Sequence, residues 1–238
     1  MKNLYQQWAE GPERQKLVQT ERLGPARKQQ ACSCGNHSCK PVTSQMNGGT
    51  LLAQHLVGQE VERYNVERLI GEGGMASVFR VRHAALETTH ALKVLSVSTK
   101  VFRQRLLQEG QMQATLQHDN IVSVSDVLDV GGVPGLLMEY IDGPTLDQWM
   151  ERYHPTLDEA LAVFRGVVQG VGYAHRHRMI HRDLKPGNIL LELGKDQITP
   201  KVTDFGLAKF VQGSNSVKRT RPGTAMGTPR YMAPEQMR

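Results

Sequence analysis

Hydrophobic positions are sparse over residues 1–58 and then fall into short alternating runs. In the first stretch Gln, Arg, Lys, Ser and Gly dominate, and Gly24-Pro25, Lys40-Pro41 and Asn47-Gly48-Gly49 interrupt any regular element. The pattern predicts a low-order leader with at most a short helix over 51–57. From Tyr64 the texture changes. Residues 64–70, 78–83 and 89–95 read as three strands, joined by Gly71-Glu72-Gly73-Gly74 and by a polar turn at 84–87. On the third strand the two-residue period puts Ala91 and Lys93 on one side and Leu92 and Val94 on the other. A helix over 100–116 and strands near 122–130 and 136–140 complete this part.

Beyond Gly143-Pro144 the pattern turns helical. Thr156 followed by Glu159 is a capping-box signature directly after Pro155. Leu157, Leu161, Phe164, Val168 and Val171 then recur at three- and four-residue steps, which predicts a helix with one apolar face. A strand-rich part over 59–142 and a helix-rich part over 143–238 imply two lobes with a cleft between them.

Composition changes this picture little. Of the 238 residues 39% are hydrophobic and 22% charged, as in ordinary globular chains. The formal net charge of +6 comes from scattered basic residues without an aromatic ladder or recognition-helix pattern, which argues against specific nucleic-acid binding. No apolar run approaches the ~18 residues that span a bilayer, and the polar start lacks a secretory segment, so a cytoplasmic location is expected. All three cysteines lie in Cys32-Ser33-Cys34-Gly35-Asn36-His37-Ser38-Cys39. Three thiols and an imidazole can in principle ligate zinc, which would make the leader an interaction module. The cramped spacing and the lack of a second cysteine pair favour exposed, reduced thiols on a flexible tail.

The candidate chemistry lies further on. His181-Arg182-Asp183-Leu184-Lys185-Pro186-Gly187-Asn188 is followed, 21 residues after Asp183, by Asp204-Phe205-Gly206. Apolar residues bracket both clusters, which together supply two acids, an amide and an amine. Such a set suits metal ions and a hydroxyl nucleophile beside a polyphosphate. Glycines at 71, 73 and 74 let backbone amides approach phosphate oxygens, although a glycine hairpin alone joins strands in many folds. Lys93, flanked by apolar residues, needs an anion. Glu109, sixteen residues on, is a candidate partner on the next helix.

Taken in order, these motifs resemble the protein kinase superfamily, most of all the eukaryotic-like serine/threonine kinases of bacteria. The matches are the glycine loop 71–78, Ala91-Leu92-Lys93, Glu109, Met138-Glu139-Tyr140, His181 to Asn188, Asp204-Phe205-Gly206, Gly227-Thr228-Pro229 and Ala233-Pro234-Glu235. The resemblance covers about 64–238, and one departure is Ala76 at the third glycine position. It implies an α+β, bilobal protein-kinase-like fold: an antiparallel sheet with one helix, then a mainly helical and incomplete second lobe. It also implies ATP and Mg²⁺ as cofactors and Ser/Thr-bearing proteins as substrates, with autophosphorylation or dimerisation as further options.

Carried over, the resemblance gives Asp183 the substrate hydroxyl's proton, Lys185 the γ-phosphate, and Asn188 and Asp204 the metal. Lys93, paired with Glu109, would hold the α- and β-phosphates. Ile70, Gly71, Glu72, Gly73, Gly74, Met75, Ala76 and Val78 would cover the nucleotide. Val78 and Ala91 would sandwich the adenine, with Met138 at the back and the backbone of Glu139 and Ile141 reading its edge. Lys185 and Thr228 match the serine/threonine branch. Arg182 matches kinases whose activation loop is ordered by phosphorylation, and Ser214, Ser216, Thr220 and Thr224 are candidate acceptors beside the basic run Lys218-Arg219-Thr220-Arg221.

Family members continue past the position of Glu235 with further helices. The expectation is therefore a piece of a longer product, membrane-anchored in many relatives, whose second lobe exposes core surface here. A competing reading is an inactive ATP-binding scaffold. The presence of every catalytic side chain named above argues against it.

Overall fold

A computed structural model describes residues 55–73, 76–95, 104, 107, 110–195, 197–205 and 229–237. Six strands form one antiparallel sheet: β1 (Glu60–Val61), β2 (Tyr64–Glu72), β3 (Ala76–His83), β4 (Thr89–Leu95), β5 (Val124–Val130) and β6 (Val133–Glu139), in the order β1-β2-β3-β4-β6-β5. Helix α1 (Leu146–Tyr153) and helix α2 (Leu157–Arg176) follow, and then a two-stranded antiparallel sheet of β7 (Ile189–Leu193) and β8 (Ile198–Val202). Positions 104, 107 and 110–114 are helical, within the helix expected over 100–116.

The alternation along the strands becomes two cores on opposite faces of one sheet. Phe79, Val81, Leu92, Val94, Leu128 and Leu137 pack with Val61, Tyr64 and Val66 on one face. Ala91, Val124, Leu136, Met138 and Ile141 pack on the other, with Ala76, Val78 and Leu190 against them. Each fully buried Leu or Phe contributes about 1.5–3 kcal/mol relative to exposure. The expected sides of β4 are therefore borne out: Leu92 and Val94 join the first cluster and Ala91 the second.

The strand expected over 122–130 is shorter. Ile121 leaves the sheet to bridge Val202, Val122 donates to the Val202 carbonyl, and Val202 donates back to Asn120. Backbone pairing thus stitches the segment before β5 to β8. Strands β7 and β8 themselves carry no prediction from the sequence, because their apolar residues lie between polar clusters without a clear period.

Helix α2 begins where expected. The Thr156 hydroxyl accepts from the Glu159 amide and the Glu159 carboxylate accepts from the Thr156 amide, a reciprocal cap. Its packed face needs correction. Leu157 (74% exposed), Leu161, Phe164 (63%) and Val168 lie on the surface. The buried stripe is Val163, Gly166, Val167, Gly170 and Ala174. A Cβ on Gly166 would come within 2.5 Å of the Pro200 ring, and one on Gly170 within 2.6 Å of the Asn120 carbonyl oxygen. Small residues let the 118–122 segment and β8 lie against the helix axis. Only Val163 and Val167 give that face a strong hydropathy signal, while Leu157, Leu161, Phe164 and Val168 outweigh them on the outer one, which is why periodicity selects the other.

Candidate active site

Strand pairing places the expected nucleotide-contacting residues in rows. Val78 is opposite Lys93, which is opposite Leu136, and Ala91 is opposite Met138. Val78, Ala91, Met138 and Ile141 share one apolar cluster, with Ala76 beside them. Leu190 joins it from β7, a residue the motif reading passed over. Its signal was available: Leu190 is two positions past Asn188 on an apolar run. Gly71 pairs with Val78 and Glu72 with Ser77, and the Gly73 amide donates to the Ala76 carbonyl, so the pairing of β2 with β3 continues to Gly73 and Ala76. Ile70 and Glu72 are exposed there, while Gly74 and Met75 lie outside the described residues.

The polar cluster is assembled from distant parts of the chain. Lys93, 8% exposed at its side chain, reaches Oδ1 of Asp204 with Nζ at 2.6 Å across 111 residues of sequence. Desolvating an ammonium is tolerable only with such a counter-charge. Glu109 lies outside the described residues, so the carboxylate seen on Lys93 is that of Asp204. Asp183 accepts from Lys185 at 2.9 Å and from the Asn188 amide at 3.2 Å through Oδ2. The Asn188 Nδ2 also donates to the Asp183 carbonyl at 2.8 Å. With its nitrogen engaged, Asn188 leaves its side-chain amide oxygen as the atom that could face a cation.

Local geometry explains how these side chains are held. Pro186–Asn188 form a 3₁₀ turn in which the Asn188 amide donates to the Lys185 carbonyl. The Asn188 carbonyl in turn accepts from Thr203, linking this turn to the residue before Asp204. Arg182 (φ 68°) and Asp204 (φ 66°) both adopt left-handed backbone, which non-glycine residues rarely take without compensating contacts.

His181 supplies some of those contacts. It is buried, its Nε2 lies 2.8 Å from the Thr203 carbonyl, its Nδ1 faces the Asp183 amide at 3.3 Å, and its ring lies 4.8 Å from that of Phe205. The carbonyl requires a donor at Nε2 and the amide requires an acceptor at Nδ1, so the network assigns the neutral Nε2–H tautomer. Burial pushes the imidazole below its ordinary pKa, and the Thr203 carbonyl and the carboxylates of Asp204 and Asp183 oppose this only in part.

Among the described residues, no group of three or more His, Cys, Asp or Glu side chains forms a metal cluster. The oxygens of Asp204 and Asn188, beside the Asp183 carboxylate, are hard donors of the kind that suits a hard divalent cation sharing its shell with phosphates and water. The residues fit such an ion. The candidate phosphoacceptors Ser214, Ser216, Thr220, Thr224 and Thr228 and the cysteine cluster lie outside the described residues.

A sheet-rich part and a helix-rich part, joined over 139–143 and meeting where Lys93 pairs with Asp204, define a bilobal kinase-like fold. Residues 64–238 match the family model described as protein kinase domain, and the chain belongs to the protein kinase family. It is 34% identical over 191 residues to the serine/threonine-protein kinase PrkC of Bacillus subtilis, covering 77% of this chain and 28% of that protein. It is 38% identical over 186 residues to the serine/threonine-protein kinase pkn3 of Myxococcus xanthus, covering 74% and 34%. The crystal structure of the Mycobacterium tuberculosis PknI kinase domain (C20A_R136N double mutant) aligns with a TM-score of 0.55 at 32% identity, over 63% of each chain. The chain thus spans about a quarter to a third of the length of these curated relatives. Family membership carries use of ATP and a divalent cation. Among the described residues no helix is long and apolar enough to cross a membrane.

Proposed function

We propose that this chain is catalytic machinery for transfer of the γ-phosphoryl group of ATP to Ser or Thr hydroxyls of proteins, with Mg²⁺ as the cation. The observation that carries the reading is a pair of charged groups, Lys93 with Asp204 at 2.6 Å and Asp183 with Lys185 and Asn188 at 2.9–3.2 Å, tied together by the bond from the Thr203 amide to the Asn188 carbonyl. The names of the relatives support the serine/threonine class.

Each residue has a task in this reading. Asp183 orients the acceptor hydroxyl and takes its proton, and the Lys185 ammonium steadies the phosphoryl oxygens. Lys93, with Glu109, holds the α- and β-phosphates. Asn188 and Asp204 hold the cation, which when bound neutralises charge on the β- and γ-phosphates. Val78, Ala91, Met138 and Leu190 enclose the base, and the backbone at Glu139 and Ile141 reads its edge. Glycines 71, 73 and 74 cover the phosphates. The chemistry is mostly positioning and charge compensation.

Arg182 is the receptor for a phosphate on the 214–228 segment, placed there by autophosphorylation. This portion works in the cytoplasm.

The test is transfer of radiolabelled phosphate from ATP to a generic basic protein, with Asp183→Asn as the comparison. Loss of the base is expected to cost about 10²–10⁴ in rate. Equal transfer by the variant would remove Asp183 from its role.

A further inference from the structure

One buried charge is left unused by the reaction described above. Lys201 on β8 is 11% exposed at its side chain, and its Nζ lies 2.7 Å from Oε1 of Glu139, the last residue of β6. The other oxygen of Glu139 faces the amide and hydroxyl of Ser123, each at 3.4 Å. The backbone amide of Glu139 also donates to the Ser123 carbonyl at 3.0 Å. A single carboxylate therefore gathers the end of β6, the entry to β5 and a strand of the second sheet.

The alternatives open to Lys201 make this arrangement informative. Glu192 on β7 lies 3.9 Å away and is half exposed, so the lysine has a carboxylate on its own sheet. It nonetheless makes the closer contact with Glu139, in the sheet-rich part. Within its own sheet Lys201 pairs opposite Leu190, which packs against the cluster containing Met138 and Ile141. Three residues further along the chain is Asp204. The lysine thus stands between the residues that border the base and the residue that holds the cation.

We propose that Lys201 is a positioning residue for the nucleotide: through Glu139 it fixes the backbone at 139–141 relative to β8, and so sets the base end of the site against the Asp204 end. The inference rests on the kinase reading, because only a bound nucleotide uses both ends at once. Lys201 touches none of the reacting atoms in this account. A tie of this kind acts on how well the nucleotide is held and leaves the phosphoryl step largely alone.

The test compares wild type with Lys201→Met, similar in length but uncharged, by ATP KM, kcat, calorimetric Mg·ATP affinity and thermal unfolding. Lys201→Met is expected to raise KM and Kd for Mg·ATP about five-fold, the lower end of typical coupling between sites, with kcat within about two-fold. Lys201→Arg should keep wild-type affinity, and the exchange Glu139→Lys with Lys201→Glu should recover much of it. Glu139→Gln leaves Lys201 beside Glu192, so it should fold and show the same rise. A lowered melting temperature with unchanged KM and Kd would overturn the proposal and leave the pair purely structural. Because affinity is read by calorimetry, wild type that binds Mg·ATP without transferring phosphate would sink the kinase reading and still decide this one.

Discussion

The six-stranded sheet and helix α2 solve the problem of burial in opposite ways. The sheet closes large side chains on both of its faces: Phe79, Leu92, Leu128 and Leu137 on one, Leu136 and Met138 on the other. Helix α2 packs its smallest residues inward, at Gly166, Gly170 and Ala174, and carries Leu157, Leu161, Phe164 and Val168 outward. The sheet is held by displaced apolar area. The inner side of α2 is held by close approach, with Asn120 and Pro200 against glycine positions. The difference teaches that a large apolar side chain marks the working face of an element only when its neighbours leave room for it.

The sharpest way to break this comparison is to truncate one large residue from each region. Leu92→Ala should cost about 2–5 kcal/mol of unfolding free energy, as a fully buried site that cannot collapse. Phe164→Ala should stay within about 0.5 kcal/mol, as an exposed position. Denaturant unfolding of both variants measures the contrast, and similar losses would abolish it.

A smaller effect is expected on the packed side of α2. On helix propensity alone Gly170→Ala should stabilise by up to about 1 kcal/mol. The added Cβ would meet the Asn120 carbonyl oxygen at 2.6 Å, and that backbone is fixed by Val202. A net loss of about 1–3 kcal/mol is therefore expected, as for overpacking. A gain in melting temperature would show that the 118–122 segment gives way freely.

The smallest effect concerns pH and belongs to neither region, since His181 bonds to the Thr203 carbonyl and packs on Phe205. Its folded-state pKa is lowered chiefly by burial, so the folded protein holds it neutral while the unfolded chain protonates at about 6.5. Its contribution to stability is thus complete above about pH 6.5 and is lost as the pH falls through the lowered folded-state value. Unfolding free energy measured from pH 7.5 to 5 should fall with acidification, and less steeply in His181→Gln. Identical slopes would mean that His181 takes no part.

Much of this could be read along the chain, and the misses have particular causes. The strands of the sheet were legible because a two-residue alternation is local and each face found apolar partners. The cap at Thr156 was legible because Glu159 is three residues away. The kinase-family motifs were legible as residue types in order. The inner face of α2 was not, because its glycines carry no hydropathy signal and its two valines, Val163 and Val167, are outweighed by the larger residues on the outer face. Lys201 was passed over because its partner Glu139 lies 62 residues away in the chain, whereas Leu190 had a local signal in the apolar run after Asn188.

Short-range chemistry was therefore written in residue order: which segments extend, where α2 starts, and which acids, amines and amides are present. Long-range choice was not. That Lys93 meets Asp204 111 residues away, that Lys201 meets Glu139 62 residues away, and that α2 turns its glycines inward were settled by packing. Burial forces each buried charge to find its counter-charge, and steric fit lets only a small residue lie where two backbones nearly touch.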